Sequence, residues 1–245
     1  MYTRGMSLRR LREMVGHRWL YRDAHYLVAE LEVDADRAKR WVPWPLRLAK
    51  PARAQLFLSY FPHTTFGSVY REAGLFFEVT HLGMRAVYSP WMLVDDDVAL
   101  IMGRELLGYP KKLGEFTCQL DGDRIAASAQ RRGHTLVTMT GTLGAVLDDP
   151  PPVLGRPHRN IRASAGLAIP KLVAFQPKER VIEVRAANLT VTIGGSERDP
   201  LHEMGLGRVL ATRLHRVDLG GMLPPLPIAA VSPIAYAKYL LLRSH

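Results

Sequence analysis

The stretch Gly103-Arg-Glu-Leu-Leu-Gly-Tyr-Pro-Lys-Lys-Leu-Gly114 carries the most specific pattern in this sequence. Two adjacent lysines, Lys111 and Lys112, follow a tyrosine and a proline, and leucines flank them on both sides. A lysine that is solvated on a protein surface needs no apolar frame of this kind. Most Lys-Lys pairs lie in solvated turns, so the frame is what makes this pair a candidate for chemistry.

An amine attacks a carbonyl group only in its unprotonated form, so at neutral pH its pKa must lie well below the ordinary value of about 10. Burial in an apolar pocket has this effect because it disfavours the ammonium form, and a neighbouring cation adds to it. If residues 110 to 113 are extended, Lys111 and Lys112 point to opposite faces of the strand. We therefore expect desolvation to activate Lys111, with the charge of Lys112 as the smaller effect.

Outward from this segment, the sequence predicts a β-rich protein. Between His25 and Val33, apolar residues alternate with the residues between them, which is the period of a strand. Turn signals at Gly122-Asp123 and Arg132-Gly133 predict hairpins. The other predicted strands are 54–61, 68–80, 84–94, 125–130, 135–141, 172–176, 180–186 and 189–193.

A few helices accompany these strands. Asp34 is typical of the cap of a short helix that ends before Pro43, and Asp95-Asp96-Asp97 opens a helix that runs to Leu107. We also expect helices over residues 7–15 and 233–243, the latter in preference to a strand, and an irregular connection over 148–153. The prediction is one mostly antiparallel β domain (α+β), residues 1–245, with a few peripheral helices.

Composition narrows the class of protein further. The formal net charge is +10, but the basic residues are spread along the chain without a recognisable nucleic-acid-binding module. No apolar run reaches the roughly 18 residues that span a bilayer, and the start does not read as a secretory signal. Cys118 is the only cysteine, which excludes an internal disulfide. We expect a soluble cytoplasmic protein that binds neither nucleic acid nor membrane.

The sequence gives no sign of a metal or phosphate site. The side chains of His63, His81, His134 and Cys118 lack the spacing of metal ligands. The segment Gly194-Gly-Ser196 lacks the strand, turn and helix context of a phosphate-binding loop or a nucleophile elbow. We therefore expect no metal and no cofactor.

The segment from Gly103 to Gly114 resembles the signature of the acetoacetate decarboxylase family, in which the first lysine of the pair forms a Schiff base with the substrate. The resemblance extends to Val42-Pro-Trp-Pro-Leu46, Val69-Tyr-Arg-Glu72 and Leu226-Pro-Ile228, so it covers nearly the whole chain. It implies an antiparallel β-cone or barrel-like fold with Lys111 inside, and a homo-oligomer. The resemblance also implies that the surroundings of Lys111 activate its amine, as they do for the lysine of this family.

Two parts of the family pattern are missing from this chain. An arginine that the family links with binding of the substrate carboxylate would align near Ala24, with Arg22 close by. A first pocket glutamate would fall near Leu56, with Gln55 beside it. The second pocket glutamate has a clear counterpart in Glu72. An aliphatic side chain can neither orient a carboxylate nor move a proton, so these departures point away from acetoacetate alone as the substrate.

The resemblance implies roles for the residues around Lys111. Glu72 is the candidate proton donor or acceptor, and its alternative is a surface carboxylate paired with Arg71 or Arg85. The supporting residues would be Lys112, Tyr109, Arg104 and Glu105, of which the last two are more typical of an ion pair at the helix end. The candidate pocket residues are Met92, Trp91, Leu56 and Arg22, although Met92 and Trp91 could equally pack the core.

Three functions remain open at this stage. The first is decarboxylation of a β-keto acid through an iminium on Lys111. The second is an aldolase, dehydratase or cyclase reaction that uses the same iminium and its enamine, because the resemblance also implies relatives that are aldolase-dehydratases. The third is a binding protein that keeps the motif without turnover. A small keto acid or other carbonyl compound is the expected partner of the first two.

Overall fold

One sheet of 15 strands organises the protein. The computed structural model describes residues 20–148, 150–163, 169–220 and 225–244. The strands are β1 (Tyr21–Val33), β2 (Arg47–Leu48), β3 (Arg53–Phe61), β4 (His63–Thr64), β5 (Tyr70–His81), β6 (Met84–Val94), β7 (Lys111–Leu113), β8 (Glu115–Asp121), β9 (Arg124–Arg131), β10 (His134–Val146), β11 (His158–Arg162), β12 (Lys171–Phe175), β13 (Lys178–Ile193), β14 (Leu206–Gly220) and β15 (Leu226–Ala230).

Helices are few and short within these ranges. They are α1 (Ala35–Ala38), α2 (Asp97–Glu105) and α3 (Pro233–Ser244), with 3-10 turns at Lys39–Trp41 and Leu201–Glu203. No helix in the described part of the chain is both long and apolar enough to cross a membrane. The predicted class, mostly β with a few helices, is confirmed.

The strand order along the sheet is β15-β12-β11-β6-β5-β3-β1-β14-β13-β10-β9-β8. Three short strands join from the side, β2 on β5, β4 on β1 and β7 on β6. Strand β6 pairs in parallel with β7 and with β11, and the other pairings are antiparallel. The parallel addition of β7 places the Lys111–Lys112 pair beside β6, one strand away from β5.

The central strands are buried on both faces, so the sheet carries two apolar cores. On β1, Leu27, Ala29 and Leu31 pack into one core, whereas Tyr26 and Val28 pack into the other. The alternation read from the sequence is therefore correct, and it separates two buried faces rather than a buried face from a solvated one. We call the core that contains Tyr26 and Val28 the aromatic core. Its large rings are Tyr26, Phe57, Phe61, Tyr70, Phe76, Tyr109 and Phe175.

Helix α2 begins where the sequence indicates and ends two residues before its predicted end. The side chain of Asp96 caps it by accepting a hydrogen bond from the backbone N of Ala99 at 2.7 Å. The helix ends at Glu105, slightly before the predicted end at Leu107. Gly108 then turns the chain with a φ of +69°, and a side chain there would lie 2.9 Å from the backbone N of Arg162. Only glycine fits both the backbone angle and the space.

The other turn and cap predictions are confirmed as well. Asp34 caps α1 by accepting hydrogen bonds from the backbone N of Asp36 and of Arg37. The hairpin between β9 and β10 turns at Arg132 and Gly133, both with positive φ, and Gly122 turns the hairpin between β8 and β9. The tail is the helix α3, as expected. The helix predicted over residues 7–15 lies outside the described residues.

Two strand predictions were wrong in extent. The segments 180–186 and 189–193 form one continuous strand, β13, because both pair along its length with β14 and β10. Strand β14 itself was missed. It carries arginines whose ion pairs reach neighbouring strands, such as Arg216 with Asp23 at 2.9 Å and Arg213 with Glu30 at 2.7 Å. These charges obscure the apolar alternation by which a strand is recognised.

Candidate active site

The lysine of the motif reaches the aromatic core through the register of three strands. Lys111 of β7 pairs with Met92 of β6, and Met92 pairs with Gly74 of β5. Residues paired in this way share a face of the sheet, so Lys111 extends over the face that carries Glu72 two residues before Gly74. Both Lys111 and Met92 are almost fully buried.

Lys111 and Glu72 form a buried ion pair. The Nζ of Lys111 lies 2.5 Å from Oε2 of Glu72, and the two side chains are only 7% and 8% exposed. The amine also lies 5.6 Å from the ring centroid of Tyr70 and 5.9 Å from that of Tyr109. The Lys111 amine is therefore kept out of bulk water, next to one carboxylate and two aromatic rings.

Four tyrosines lie around this ion pair: Tyr26, Tyr70 and Tyr109 are buried, and Tyr21 is partly buried. Burial raises the pKa of each phenol well above its usual value of 10, and the negative charge of Glu72 raises it further. The four hydroxyl groups are therefore protonated at neutral pH. They are neutral groups that can donate hydrogen bonds, and they add no charge to the site.

Helix α2 fixes the lysine side chain from the other side. A Cβ placed on Gly103 would lie 2.6 Å from Cδ and from Cε of Lys111, so the helix contacts the lysine where it has no side chain of its own. Arg104 donates a hydrogen bond from Nη1 to the backbone O of Lys111 at 3.0 Å. Glu105 is exposed at the end of the helix.

Lys112 points to the opposite face of the strand, as its position next to Lys111 predicts. Its Nζ forms an ion pair with Oδ1 of Asp199 and donates to the backbone O of Arg198 at 2.9 Å. Asp199 also accepts hydrogen bonds from Arg131 and from the ring N of Trp91, each at 3.0 Å. Lys112 is itself buried and held in this cluster.

The cluster contains two cations, Lys112 and Arg131, but only one carboxylate, that of Asp199. Burial alone would raise the pKa of Asp199, but the charges and hydrogen bonds of Lys112, Trp91 and Arg131 outweigh it and lower that pKa. Burial lowers the pKa of Lys112, and the carboxylate that it shares with Arg131 only partly offsets this. The contacts of Asp199 with Trp91, Lys112 and Arg131 link β6, β7 and β9 to the segment before residue 201.

The structure separates the predicted pocket residues into two groups. Glu72 lies in the site and not on the surface, while Arg71 pairs with Asp95 and Arg85 pairs with Glu78.

Met92 belongs to the aromatic core. Trp91 lies on the other face, beside Lys112, where it contributes to the opposite core and binds Asp199.

Leu56 and Arg22 do not approach Lys111. Leu56 packs into the core on the opposite face, so its assignment to the pocket is wrong; its neighbour Gln55 faces the aromatic core, opposite Phe76. Gln55 accepts a hydrogen bond from Nη2 of Arg156, which also pairs with Glu78. Arg22 is exposed. Neighbouring residues of a strand face opposite sides of the sheet, so Gln55 and not Leu56 lies on the face of Lys111.

Sequence reasoning missed several residues of the site. Tyr21 and Tyr26 lie in no motif, although Tyr26 alternates with the residues assigned to the other core. Tyr70 belongs to the segment Val69-Tyr-Arg-Glu72, but only Glu72 of that segment was assigned to the site. His158 was also missed. It lies 3.1 Å from the hydroxyl of Tyr109 through Nδ1, and burial lowers its pKa to about 3, so the ring is neutral. Among the described residues, no group of three or more His, Cys, Asp or Glu side chains could hold a metal ion.

Comparison with known proteins agrees with the geometry. The sequence profile of the family described as Acetoacetate decarboxylase (ADC) matches residues 10–224. The acetoacetate decarboxylase of Burkholderia ambifaria (strain MC40-6) is 34% identical over 122 residues, which are 50% of this chain and 48% of that protein. The chain therefore spans about half the length of the curated relatives that it matches.

Solved structures share the fold at low sequence identity. The crystal structure of acetoacetate decarboxylase from Legionella pneumophila superposes with a TM-score of 0.77 at 15% identity, covering 87% of this chain and 88% of that chain. The enduracididine biosynthesis enzyme MppR complexed with pyruvate superposes with a TM-score of 0.66 at 17% identity, covering 82% and 88%. The same enzyme has been solved with the condensation product of pyruvate and imidazole 4-carboxaldehyde.

The buried cluster around Asp199 gives a prediction for stability. Asp199→Ala leaves Lys112 and Arg131 buried without their shared carboxylate, and removal of one partner from a buried ion pair costs about 3–5 kcal/mol. We expect a loss of this size in the free energy of unfolding, measured by urea denaturation at pH 7. The matched control is Asp36→Ala, which breaks the exposed pair with Lys39.

The pH dependence tests the same cluster. The pKa of Asp199 is lowered from 3.8 in the folded state, so its stabilising contribution is present above 3.8 and is lost as the pH falls through the folded-state value. The difference in stability between the wild type and Asp199→Ala should therefore shrink in strong acid. If Asp199→Ala costs no more than Asp36→Ala at pH 7, the cluster does not stabilise the fold.

Proposed function

We propose, from the premise that this chain belongs to the acetoacetate decarboxylase family, that Lys111 forms an iminium with the ketone of a β-keto acid, which then loses carbon dioxide. The observation that carries the proposal is the buried contact between the Lys111 amine and Glu72. A solvated lysine would indicate that this chain shares only the fold of the family and not its chemistry. Here the amine is enclosed by aromatic rings, and a carboxylate lies within reach of its proton.

Burial and the carboxylate act on the amine in opposite directions. Desolvation disfavours the ammonium, whereas the adjacent carboxylate of Glu72 favours it. A proton that passes from Lys111 to Glu72 removes both charges from the apolar site, so the neutral pair loses less hydration energy than the ion pair. We propose that Glu72 accepts this proton and thereby frees the amine to attack the ketone.

The reaction then proceeds with a balanced set of proton transfers. The amine adds to the carbonyl carbon to give a carbinolamine, which takes up a proton and loses water to form the iminium. The bond between the α-carbon and the carboxylate breaks, carbon dioxide leaves, and the electron pair moves into an enamine. A proton returns to the α-carbon, and water hydrolyses the resulting iminium to the ketone and free Lys111. Glu72 is the group placed to supply and receive the protons at the nitrogen.

Lys112 has a structural role in this proposal. It lies on the opposite face of β7, and the carboxylate of Asp199 partly neutralises its charge. We therefore attribute activation of Lys111 mainly to its apolar surroundings, with Lys112 securing the strand that presents it. A single domain that works as a homo-oligomer in the cytoplasm, with no metal or cofactor, completes the proposal.

A second candidate is condensation by the same enamine. The enamine can attack an aldehyde instead of a proton, and a β-hydroxyl group can then leave as water. The aliphatic side chain of Ala24 cannot hold a substrate carboxylate as the family arginine would, so this position does not restrict the site to substrates that release carbon dioxide. MppR shares the fold and has been solved with a condensation product. The two reactions differ in whether carbon dioxide is released.

The first prediction concerns the imine itself. Incubation with acetoacetate or another β-keto acid and borohydride should leave a stable adduct on Lys111, because reduction traps the iminium. Mass spectrometry of digested protein locates the adduct, and carbon dioxide release is measured in parallel. Lys111→Met should lose the adduct and the activity. Lys112→Met should keep the adduct on Lys111 and lose far less activity.

The outcomes of this experiment separate the candidates. An adduct with carbon dioxide release supports decarboxylation, whereas an adduct that yields product only with an aldehyde supports condensation. Lys111→Met leaves Glu72 buried without its partner, so the double variant Lys111→Met/Glu72→Gln serves as a folded control without either charge. If no ketone gives an adduct on the folded wild type, the chain does not use this lysine for catalysis.

A second prediction concerns Glu72. Glu72→Gln keeps the size of the side chain but cannot accept a proton, and loss of a general acid or base lowers rates by about 100- to 10,000-fold. We expect kcat to fall by this factor in an assay of carbon dioxide release. Glu78→Gln, on the same strand but paired with Arg85 and Arg156, is the matched control. Equal losses in both variants would mean that Glu72 has no special role in the reaction.

A third prediction concerns the helix behind the lysine. Gly103→Ala places a methyl group 2.6 Å from Cδ and Cε of Lys111, which must move. Displacement of a reacting group by about 1 Å can cost about 100-fold in rate. Alanine also favours a helix over glycine, so the melting temperature should hold while the rate of adduct formation falls.

The control for this variant is Gly144→Ala on β10. A Cβ at Gly144 meets its nearest neighbours at 3.4 Å and beyond, at ordinary contact distance. Gly144→Ala should leave adduct formation unchanged. An unchanged rate in Gly103→Ala would show that the position of the lysine side chain is not set by this helix.

A further inference from the structure

A buried hydroxyl group lies beside the site without a hydrogen-bond partner. Tyr26 is fully buried, and its Oη has no hydrogen-bond partner among the residues that the structure describes. An unpaired hydroxyl inside a protein destabilises the fold, and native proteins keep few of them. Phenylalanine would fill the same space without this penalty. A tyrosine at this position therefore indicates that its hydroxyl group has a function.

The register of the sheet places Tyr26 in line with the proposed acid-base residue. Tyr26 of β1 pairs with Ser59 of β3, and Ser59 pairs with Glu72 of β5. The three residues form one row across adjacent strands and share a face, so Tyr26 and Glu72 are separated by two strand spacings, about 10 Å between Cα atoms. The serine between them is small, and the long side chain of Tyr26 spans part of this gap.

Ring contacts connect Tyr26 to the reactive amine. Its ring packs on Phe57 and Phe61 with centroid distances of 5.6 and 5.5 Å. Phe61 stacks on Tyr70 at 4.4 Å, and the Tyr70 ring lies 5.6 Å from Nζ of Lys111. Burial, and then the negative charge of Glu72, raise the pKa of the Tyr26 phenol well above 10. Tyr26 is therefore a protonated, neutral donor next to the site.

We propose that Tyr26 Oη donates a hydrogen bond to the carboxylate of the β-keto acid while the ketone carbon is bonded to Lys111. This inference rests on the proposed function. It assigns a donor to the substrate carboxylate in a chain where Ala24, two residues earlier on the same strand face, offers none. It also defines the substrate class as a keto acid whose carboxylate lies close to the reacting carbonyl.

A neutral donor suits the loss of carbon dioxide. The carboxylate carries a full charge before the carbon–carbon bond breaks and none afterwards. A cation would stabilise the bound substrate strongly and would lose that interaction in the transition state, which raises the barrier. A phenol positions the carboxylate with a weaker bond, so less stabilisation is lost as carbon dioxide forms.

The test compares an acid with a ketone in Tyr26→Phe. Trapping of Lys111 by borohydride is measured against the concentration of acetoacetate, which has a carboxylate, and of acetone, which lacks one. Loss of one hydrogen bond to a charged group should raise the half-saturating concentration of acetoacetate about tenfold or more. The half-saturating concentration of acetone should not change. The melting temperature should hold or rise, because an unpaired buried hydroxyl is removed.

The matched control is Tyr88→Phe. Tyr88 is also buried, but it packs into the core on the opposite face of the sheet. Tyr88→Phe should change neither half-saturating concentration. The inference is overturned if Tyr26→Phe behaves like the wild type, if it affects acetoacetate and acetone equally, or if it lowers turnover alone. Absence of any adduct in the wild type overturns the proposed function and this inference with it, whereas an adduct that Tyr26→Phe leaves unchanged overturns the inference only.

Discussion

The contact between the Lys111 amine and the Glu72 carboxylate is the interaction on which the rest of this structure depends. An isolated ion pair of this kind is expensive inside a protein, because both groups lose their hydration and regain only part of it from each other. The fold nevertheless keeps the pair almost fully buried among aromatic rings. Such an arrangement persists only where the surrounding strands hold both groups in place, and it is typical of functional sites.

Strand β7 explains how the fold holds this pair. Its three residues add in parallel to β6, and the alternation of a strand sends Lys111 and Lys112 to opposite faces. Two chemically identical side chains thus receive different tasks. Lys111 enters the aromatic core with a single carboxylate beside it, whereas Lys112 joins Asp199, Arg131 and Trp91 in a cluster that connects the strand to its neighbours. In the proposed mechanism, Lys112 therefore supports Lys111 by holding the shared strand in place and not by its charge.

Much of this arrangement could be predicted from the sequence, and the reasons for the gaps are physical. The opposite orientation of the two lysines follows from alternation alone, and the caps at Asp34 and Asp96 follow from local hydrogen bonding. Strand β14 was not predicted because its arginines, which form ion pairs with neighbouring strands, interrupt the apolar alternation. Leu56 was assigned to the pocket wrongly because the resemblance did not determine which of two neighbouring residues faces Lys111, and neighbouring residues of a strand face opposite sides.

The tyrosines were the least predictable part of the site. Tyr26 and Tyr70 look like ordinary core residues in the sequence, and only the pairing of β1, β3 and β5 places their hydroxyl groups near Glu72. A tyrosine in a core is common, and it acquires meaning when its hydroxyl group lacks a partner. No local pattern reports on that, because the partner would come from strands distant in sequence.

The charge of the site is consistent with the chemistry that we propose. The iminium is positive and the substrate carboxylate is negative, and loss of carbon dioxide turns this pair of charges into a neutral enamine. In a site of low dielectric constant, a step that removes two opposite charges is favoured relative to the same step in water, provided that no fixed cation holds the carboxylate back. The neutral tyrosines around Lys111, and the lack of an arginine at Ala24, meet that condition. The neutral, apolar surroundings of Lys111 are therefore compatible with the decarboxylation that we propose, because they favour the step that removes both charges.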